Sequence, residues 1–324
     1  MSGDLQAAIL ILVAIMLGFV TSQLFFRVRN NFAASYRIAM LGLPLSGKTA
    51  LVTAIFEYIF SSSAGRAFAP VGEKTIKSIN QQISLIESRK TFDRTRDQDI
   101  FLFRFLYYVK SFFLPFLTTK YEGEVVDFPG EMSHRLFESS RDGDLSDDIE
   151  IFDRDFYTWI ISSKAHIFTV DLAGYLATED KRSFASARSS EIRRTWQILS
   201  EKVFSEKGKQ KSRVALVFTK ADLAFVRKID ADLMAEGQSE TMQVLWHFRY
   251  ETIPSSAEIN FDRKELLWGI STETENYFKP LIDYFSNQDC EFRIFYCSSY
   301  KDNNEKRLGI EDLTRFLLPK SNVF

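Results

Sequence analysis

Cysteine is nearly absent from this 324-residue chain, and neither sign of charge is in excess. The two cysteines, Cys290 and Cys297, lie close together around one predicted strand. Two neighbouring thiols cannot form the framework of a disulfide-stapled secreted domain, so they read as ordinary reduced thiols in a reducing compartment. The net charge is −2. Binding to nucleic acid needs a basic face to neutralise phosphates, and without that surplus nucleic acid is set aside as a partner. What is present is the composition of a packed chain, 45% hydrophobic and 26% charged, with 31 phenylalanines. So many phenylalanines reflect either genome composition or apolar surface kept for a partner.

Residues 36–49 read Tyr-Arg-Ile-Ala-Met-Leu-Gly-Leu-Pro-Leu-Ser-Gly-Lys-Thr. A short apolar strand (37–41) runs into Gly-x-x-x-x-Gly-Lys-Thr and then into a predicted helix over 49–59, the context a phosphate-binding loop requires. Gly42 and Gly47 let the backbone turn so that successive N–H groups face an anion at the helix N-terminus. The candidate phosphate-binding set is Gly42, Leu43, Pro44, Leu45, Ser46, Gly47, Lys48, Thr49 and Ala50. Lys48 is aimed at the β- and γ-phosphates and Thr49 at Mg²⁺.

From Ala7 to Phe26 every residue is apolar or small except Thr21, Ser22 and Gln23. Twenty helical residues span about 30 Å, the thickness of a bilayer core. A transmembrane helix is therefore expected at 7–26, between a six-residue extracytoplasmic N-terminus and a linker over 27–35. The alternative, a cleaved signal peptide, carries positive charge before its apolar run, whereas here Asp4 precedes the run and Arg27 and Arg29 follow it. The same asymmetry puts the N-terminus outside and residues 36–324 in the cytoplasm, on a bacterial plasma membrane or the endoplasmic reticulum.

Further along, Ile76, Ile79, Ile83 and Ile86 recur at helical spacing, predicting an amphipathic helix over 73–90. Phe101 to Tyr108 alternate with the period of a strand, with 121–128 as the antiparallel neighbour. The apolar cluster at 111–117 reads as a buried connection or as a tip facing a membrane or a partner. The second strand ends in Asp127-Phe-Pro-Gly130, where Asp127 can hold Mg²⁺ through water and the Gly130 N–H can turn toward a γ-phosphate. The acidic run at 141–155 reads as a solvated face, and His166 as a structural histidine. A long helix carries Ile192, Trp196, Leu199 and Val203 on one stripe. The buried strand 214–218 runs into Thr219-Lys-Ala-Asp222. There the Asp222 carboxylate can accept from guanine N1–H and the 2-amino group while the Lys220 stem lies along the base. A last strand over 292–297 ends at Ser298 and Ser299, where a backbone N–H could meet guanine O6, and a closing helix follows from Ile310.

The ordered set Gly42-x-x-x-x-Gly47-Lys48-Thr49, Asp127-Phe-Pro-Gly130 and Thr219-Lys-Ala-Asp222 resembles that of the Ras-like branch of the translation-factor-related P-loop GTPases. The anchor-first layout is similar to that of signal recognition particle receptor β subunits, and the loop and Asp-Phe-Pro-Gly-Glu look like those of bacterial YcjX-like and double-GTPase proteins. The resemblance implies a doubly wound, mostly parallel α/β sheet with GTP or GDP and Mg²⁺ at the strand ends. Thr49 and Asp127 would serve the metal and Lys48 and Gly130 the transferred phosphoryl group, whereas the segments 62–98 and 223–290 exceed the family's minimal domain and read as helical insertions. Three departures stand out. Thr219 replaces the usual Asn and would loosen the loop, the terminal element is only Ser298-Ser299-Tyr300, and Glu131 occupies the site of the water-positioning glutamine. There Glu131 repels the γ-phosphate, points away from it, or orients the attacking water.

The expected function is slow GTP hydrolysis to GDP and phosphate by a switch or recruiter at a membrane face, with a protein partner on the switch surface. Segment 62–98 would be the first switch, through Thr75, Thr91 or Thr95, with Arg94 and Arg96 as candidate arginine fingers. A scaffold that holds GTP without turnover, and an ATPase subunit of a membrane machine, are the competing readings.

Overall fold

The computed structural model describes residues 11–22, 34–61, 68–87, 101–110, 118–128, 130, 132–133, 151–206, 211–222, 264–301 and 305–318. Seven strands form one sheet. They are β1 (Ala34–Leu41), β2 (Phe68–Pro70), β3 (Phe101–Lys110), β4 (Thr118–Asp127), β5 (Ala165–Asp171), β6 (Ser212–Thr219) and β7 (Cys290–Tyr296), in spatial order β2-β3-β4-β1-β5-β6-β7. The run β4-β1-β5-β6-β7 is parallel, while β2 and β3 extend it antiparallel at one edge. The sheet is mostly parallel, as expected, with the expected antiparallel pairing of β3 and β4 toward one edge, and the insertion before β3 contributes the short edge strand β2 as well as a helix.

Besides a helix over residues 11–22, the helices are α1 (Lys48–Ser61), α2 (Glu73–Glu87), α3 (Ile151–Ser162), α4 (Leu172–Ala177), α5 (Lys181–Glu206), α6 (Lys264–Tyr277), α7 (Lys279–Ser286) and α8 (Ile310–Leu317). The central parallel strands are continuous apolar runs because both faces are covered. Val214 to Phe218, for example, is fully buried. On one face Met40, Ile167, Val217 and Phe295 pack under α1, α2 and α8 through Leu51, Phe56, Ile79 and Phe316. On the other, Leu41, Phe168, Leu216 and Phe218 pack under α3, α5, α6 and α7. Trp196 of α5 is fully buried there, edge-on to His166 and Phe168 and tilted against Phe285. His166 accordingly sits in the core, its Nε2 2.9 Å from the Ile160 carbonyl.

The expected membrane anchor is not supported. Residues 11–22 form a helix whose side chains are exposed, and twelve helical residues reach only about 18 Å, well short of a hydrocarbon core of about 30 Å. Among the described residues no helix is long and apolar enough to cross a membrane. The transmembrane part of the expected architecture and the single-pass, N-terminus-outside localisation therefore fall. The flanks of the expected span, 7–10 and 23–26, lie outside the described residues. So do the 111–117 segment, most of the acidic run before α3, and Thr91, Thr95, Arg94 and Arg96.

Candidate nucleotide site

In a doubly wound sheet the crevice opens where successive connections leave in opposite directions, beyond the C-terminal strand ends. That point lies beyond β1, which pairs with β4 on one side and β5 on the other. The motifs converge there: the loop after Leu41, Asp127 ending β4, Asp171 ending β5, Thr219 ending β6 and Ser298 after β7.

The loop from Gly42 to Gly47 is held from three strands. Thr169 of β5 donates its hydroxyl to the Leu41 carbonyl at 3.1 Å and meets the Ser46 hydroxyl at 2.8 Å. Thr219 of β6 donates to the Ser46 carbonyl at 2.6 Å and reaches the Val170 carbonyl at 3.2 Å. From the β4 side, Ser133 accepts from the Gly42 N–H at 3.3 Å. Such packing leaves no room for side chains at two glycines. A Cβ on Gly42 would lie 1.8 Å from Thr169 Oγ1, and one on Gly130 would lie 2.3 Å from the Pro44 nitrogen. Leu45 and Gly47 take left-handed backbone, φ 64° and 80°, and Leu45 is exposed at the loop tip beside half-buried Leu43 and Pro44.

Lys48 begins α1 and is 6% exposed. Its ammonium folds back over the loop, donating to the Gly42 carbonyl at 2.8 Å and the Leu43 carbonyl at 2.9 Å. Burial lowers its pKa to about 8, partly offset by the negative charge of Asp127. One residue on, the Thr49 hydroxyl donates to Asp127 Oδ2 at 2.6 Å, and Ala50 follows, half-buried, in the first turn of α1. Asp127 is fully buried, and its other oxygen, Oδ1, has no hydrogen-bond partner. Desolvation raises its pKa, against the lowering effects of Thr49 and Lys48.

This pair fits Mg²⁺. The ion keeps near-octahedral oxygen coordination and is commonly held by one or two protein oxygens, substrate phosphates and water rather than by an all-protein cage. Thr49 Oγ1 and the orphaned Asp127 Oδ1 supply oxygens of that kind, and among the described residues no cluster of three or more His, Cys, Asp or Glu could hold a metal alone.

At the other end of the crevice Lys220 takes left-handed backbone at φ 57°. Its ammonium pairs with Asp171 Oδ2 at 2.7 Å, and its stem runs beside Gly47. Asp171 also caps α4, accepting from the Gly174 N–H at 3.0 Å. Asp222 is 1% exposed, and burial pushes its pKa up to about 6 despite a hydrogen bond from Ser298 and the nearby Lys220 charge. Its Oδ2 has no partner.

Two expectations need correction here. The Ser298 N–H donates to the Leu308 carbonyl at 3.1 Å, so it is not presented to a base. Ser298 contributes instead through its hydroxyl to Asp222, leaving half-buried Ser299 as the residue next to the strand end. Thr219 does not loosen the loop, because its hydroxyl ties β6 to Ser46 directly. Among the candidate switch threonines, Thr75 is buried in α2 with its hydroxyl 3.5 Å from the Leu102 carbonyl. Glu131 lies outside the described residues.

Three participants were not read from the sequence: Thr169, Asp171 and Ser133. Asp171 carried a usable signal, an Asp ending an apolar strand three residues before Gly174 in the N-cap position. Thr169 and Ser133 carried none, since their partners lie far away in the chain.

No family model matches the chain, and no curated protein matches it. Among solved structures, a signal recognition particle receptor SRb-GTP/SRX complex from Chaetomium thermophilum is similar at 15% identity, over 88% of this chain and 98% of that chain, with a TM-score of 0.41. A likeness of this degree decides neither ligand nor activity.

Proposed function

We propose that the crevice binds a guanine nucleoside triphosphate with Mg²⁺ and hydrolyses it slowly to GDP and phosphate. The observation that carries the reading is a pair of buried carboxylate oxygens without partners, Asp127 Oδ1 at the end of β4 and Asp222 Oδ2 just beyond β6, on either side of the glycine-rich loop after β1. A buried, unpaired carboxylate oxygen is costly. Two of them flanking a lysine-bearing loop suit a ligand with a metal-bridged polyphosphate at one end and a donor-bearing base at the other.

On this reading Lys48 exchanges its two carbonyl partners for phosphate oxygens and neutralises their charge, and the loop N–H groups orient the chain of phosphates. Thr49 and Asp127 hold Mg²⁺, which would neutralise charge developing on the β- and γ-phosphates. Asp222 accepts from guanine N1–H and the 2-amino group, two adjacent donors that adenine lacks, while the Lys220 stem, fixed by Asp171, lies against the base. Calorimetric titration of the purified protein with GTP, GDP and ATP, with and without Mg²⁺, tests the reading. Tight Mg²⁺-dependent binding of GTP and no competition by ATP are expected, and equal binding of ATP overturns the base assignment. Release of inorganic phosphate from pre-bound GTP separates slow turnover from permanent retention.

A further inference from the structure

A second concave site lies among the helices on the sheet face opposite α1, between α5 and the elbow where α6 passes into α7. It encloses about 620 Å³, within the range of ligand pockets. Arg182 and Arg193, on one face of α5, mark its two ends, and Ser189 lies between them. The opposite wall presents Asn276, Tyr277 and Leu281.

Two independent features point to a ligand. The first is Ser189, which is 9% exposed and lines the groove, yet its hydroxyl has no hydrogen-bond partner. Buried hydroxyls are ordinarily satisfied, so this one is set to bond something that enters the groove. The second is charge. On the surrounding helices Glu191 pairs with Arg188, Glu273 with Lys181 and Asp283 with Lys279, and Glu275 accepts from the Tyr296 hydroxyl at 3.5 Å. Arg182 and Arg193 have no ion-pair partner among the described residues, leaving a groove with a guanidinium at each end and polar groups between.

Eleven residues separate the two arginines along α5, an axial rise of about 16 Å. A single phosphate or carboxylate cannot bridge that length, whereas an extended peptide covers it in about five residues. Hydroxyl and amide groups on both walls match the alternating N–H and C=O groups of such a backbone, and the planar guanidinium suits a carboxylate bidentately. We propose that this groove binds an extended peptide segment of a partner protein carrying two acidic side chains about five residues apart. The proposal does not depend on the nucleotide reading.

The test is fluorescence polarisation of full-length protein with a labelled hexapeptide, Asp-Ser-Ala-Ser-Ala-Asp, against a peptide of the same composition with its acids at the first and third positions and one with Asn at both ends. The five-residue spacing should bind best, and each of Arg182→Gln and Arg193→Gln should weaken it about tenfold, as expected for loss of one charge-assisted contact. Ser189→Ala should weaken it less, and unchanged thermal midpoints should show that all three variants are folded. No binding up to about 1 mM, which marks a contribution under about 4 kcal/mol, overturns the proposal, as does equal affinity for the two spacings or an unchanged affinity in both arginine variants. Arginine-dependent binding to phosphatidylserine vesicles without peptide binding would make the groove a lipid surface and also overturn it.

Discussion

In the proposed reading Asp222 selects the base, and its burial would make that selection dependent on pH. In the free protein its pKa is pushed up to about 6, while guanine can be read only by the carboxylate. GTP affinity should therefore level off above about pH 7 and decline as pH is lowered through about 6, by up to tenfold per unit, in titrations from pH 5 to 8. The sign for folding is opposite. With a folded pKa above the unfolded value, the protonated group stabilises the nucleotide-free protein below about pH 4, and that contribution is lost as pH rises to about 6. Asp222→Asn should shift preference from GTP to XTP, because an amide offers one donor and one acceptor to a base that does the same. The cost to GTP binding should be about 1–3 kcal/mol, and an unchanged GTP-to-XTP ratio in competition binding would remove Asp222 from base reading. Lys48→Ala should abolish tight binding without unfolding the domain, since only two loop carbonyls lose a partner. Calorimetry and a thermal melt on the same sample would separate the two effects.

At the scale of elements, the strand-end loops work as one device because each touches the next. A Cβ on Gly130 would lie 2.3 Å from the Pro44 nitrogen and 2.4 Å from its Cα, and backbone cannot yield as a flexible side chain does. Gly130→Ala should consequently push the turn after β4 off the phosphate loop, lowering GTP affinity more than it lowers the melting temperature. The hydroxyl of Thr219 makes the corresponding link from β6 to Ser46. Thr219→Ser, which keeps that hydroxyl, should retain binding better than the near-isosteric Thr219→Val. Removing the hydroxyl leaves the buried Ser46 carbonyl without that donor at a cost of about 1–3 kcal/mol, readable as a difference in GTP affinity between the two variants.

The whole molecule is stabilised by two apolar layers on one sheet, and their contributions differ from those of the site. Trp196 is fully buried among His166, Phe168 and Phe285, so Trp196→Ala should cost about 3–5 kcal/mol by leaving a cavity, seen as a lowered denaturant midpoint. Beyond the core, the C-terminal end of α8 is tied to the sheet by Arg213, which reaches the Leu317 and Leu318 carbonyls and the Tyr36 hydroxyl. By contrast, residues 11–22 are exposed along their whole length. A fragment beginning at Ala34 should keep the full chain's melting temperature and nucleotide affinity.

Sequence alone determined the elements where the signal is local. Alternation marked Phe101–Tyr108 as a strand, a single apolar stripe marked α5, and glycine spacing marked the loop between β1 and α1, because period and backbone freedom are properties of neighbouring residues. Apolar length was also local, and there it misled, since among the described residues no helix is long and apolar enough to cross a membrane. Tertiary structure alone decided what faces what. It brought Thr169, Ser133 and Thr219 onto one loop, gave the Ser298 N–H to Leu308, and left the carboxylates of Asp127 and Asp222 each with an oxygen unpaired. Those pairings join residues far apart in the chain, and their energies depend on burial that no single stretch of sequence carries.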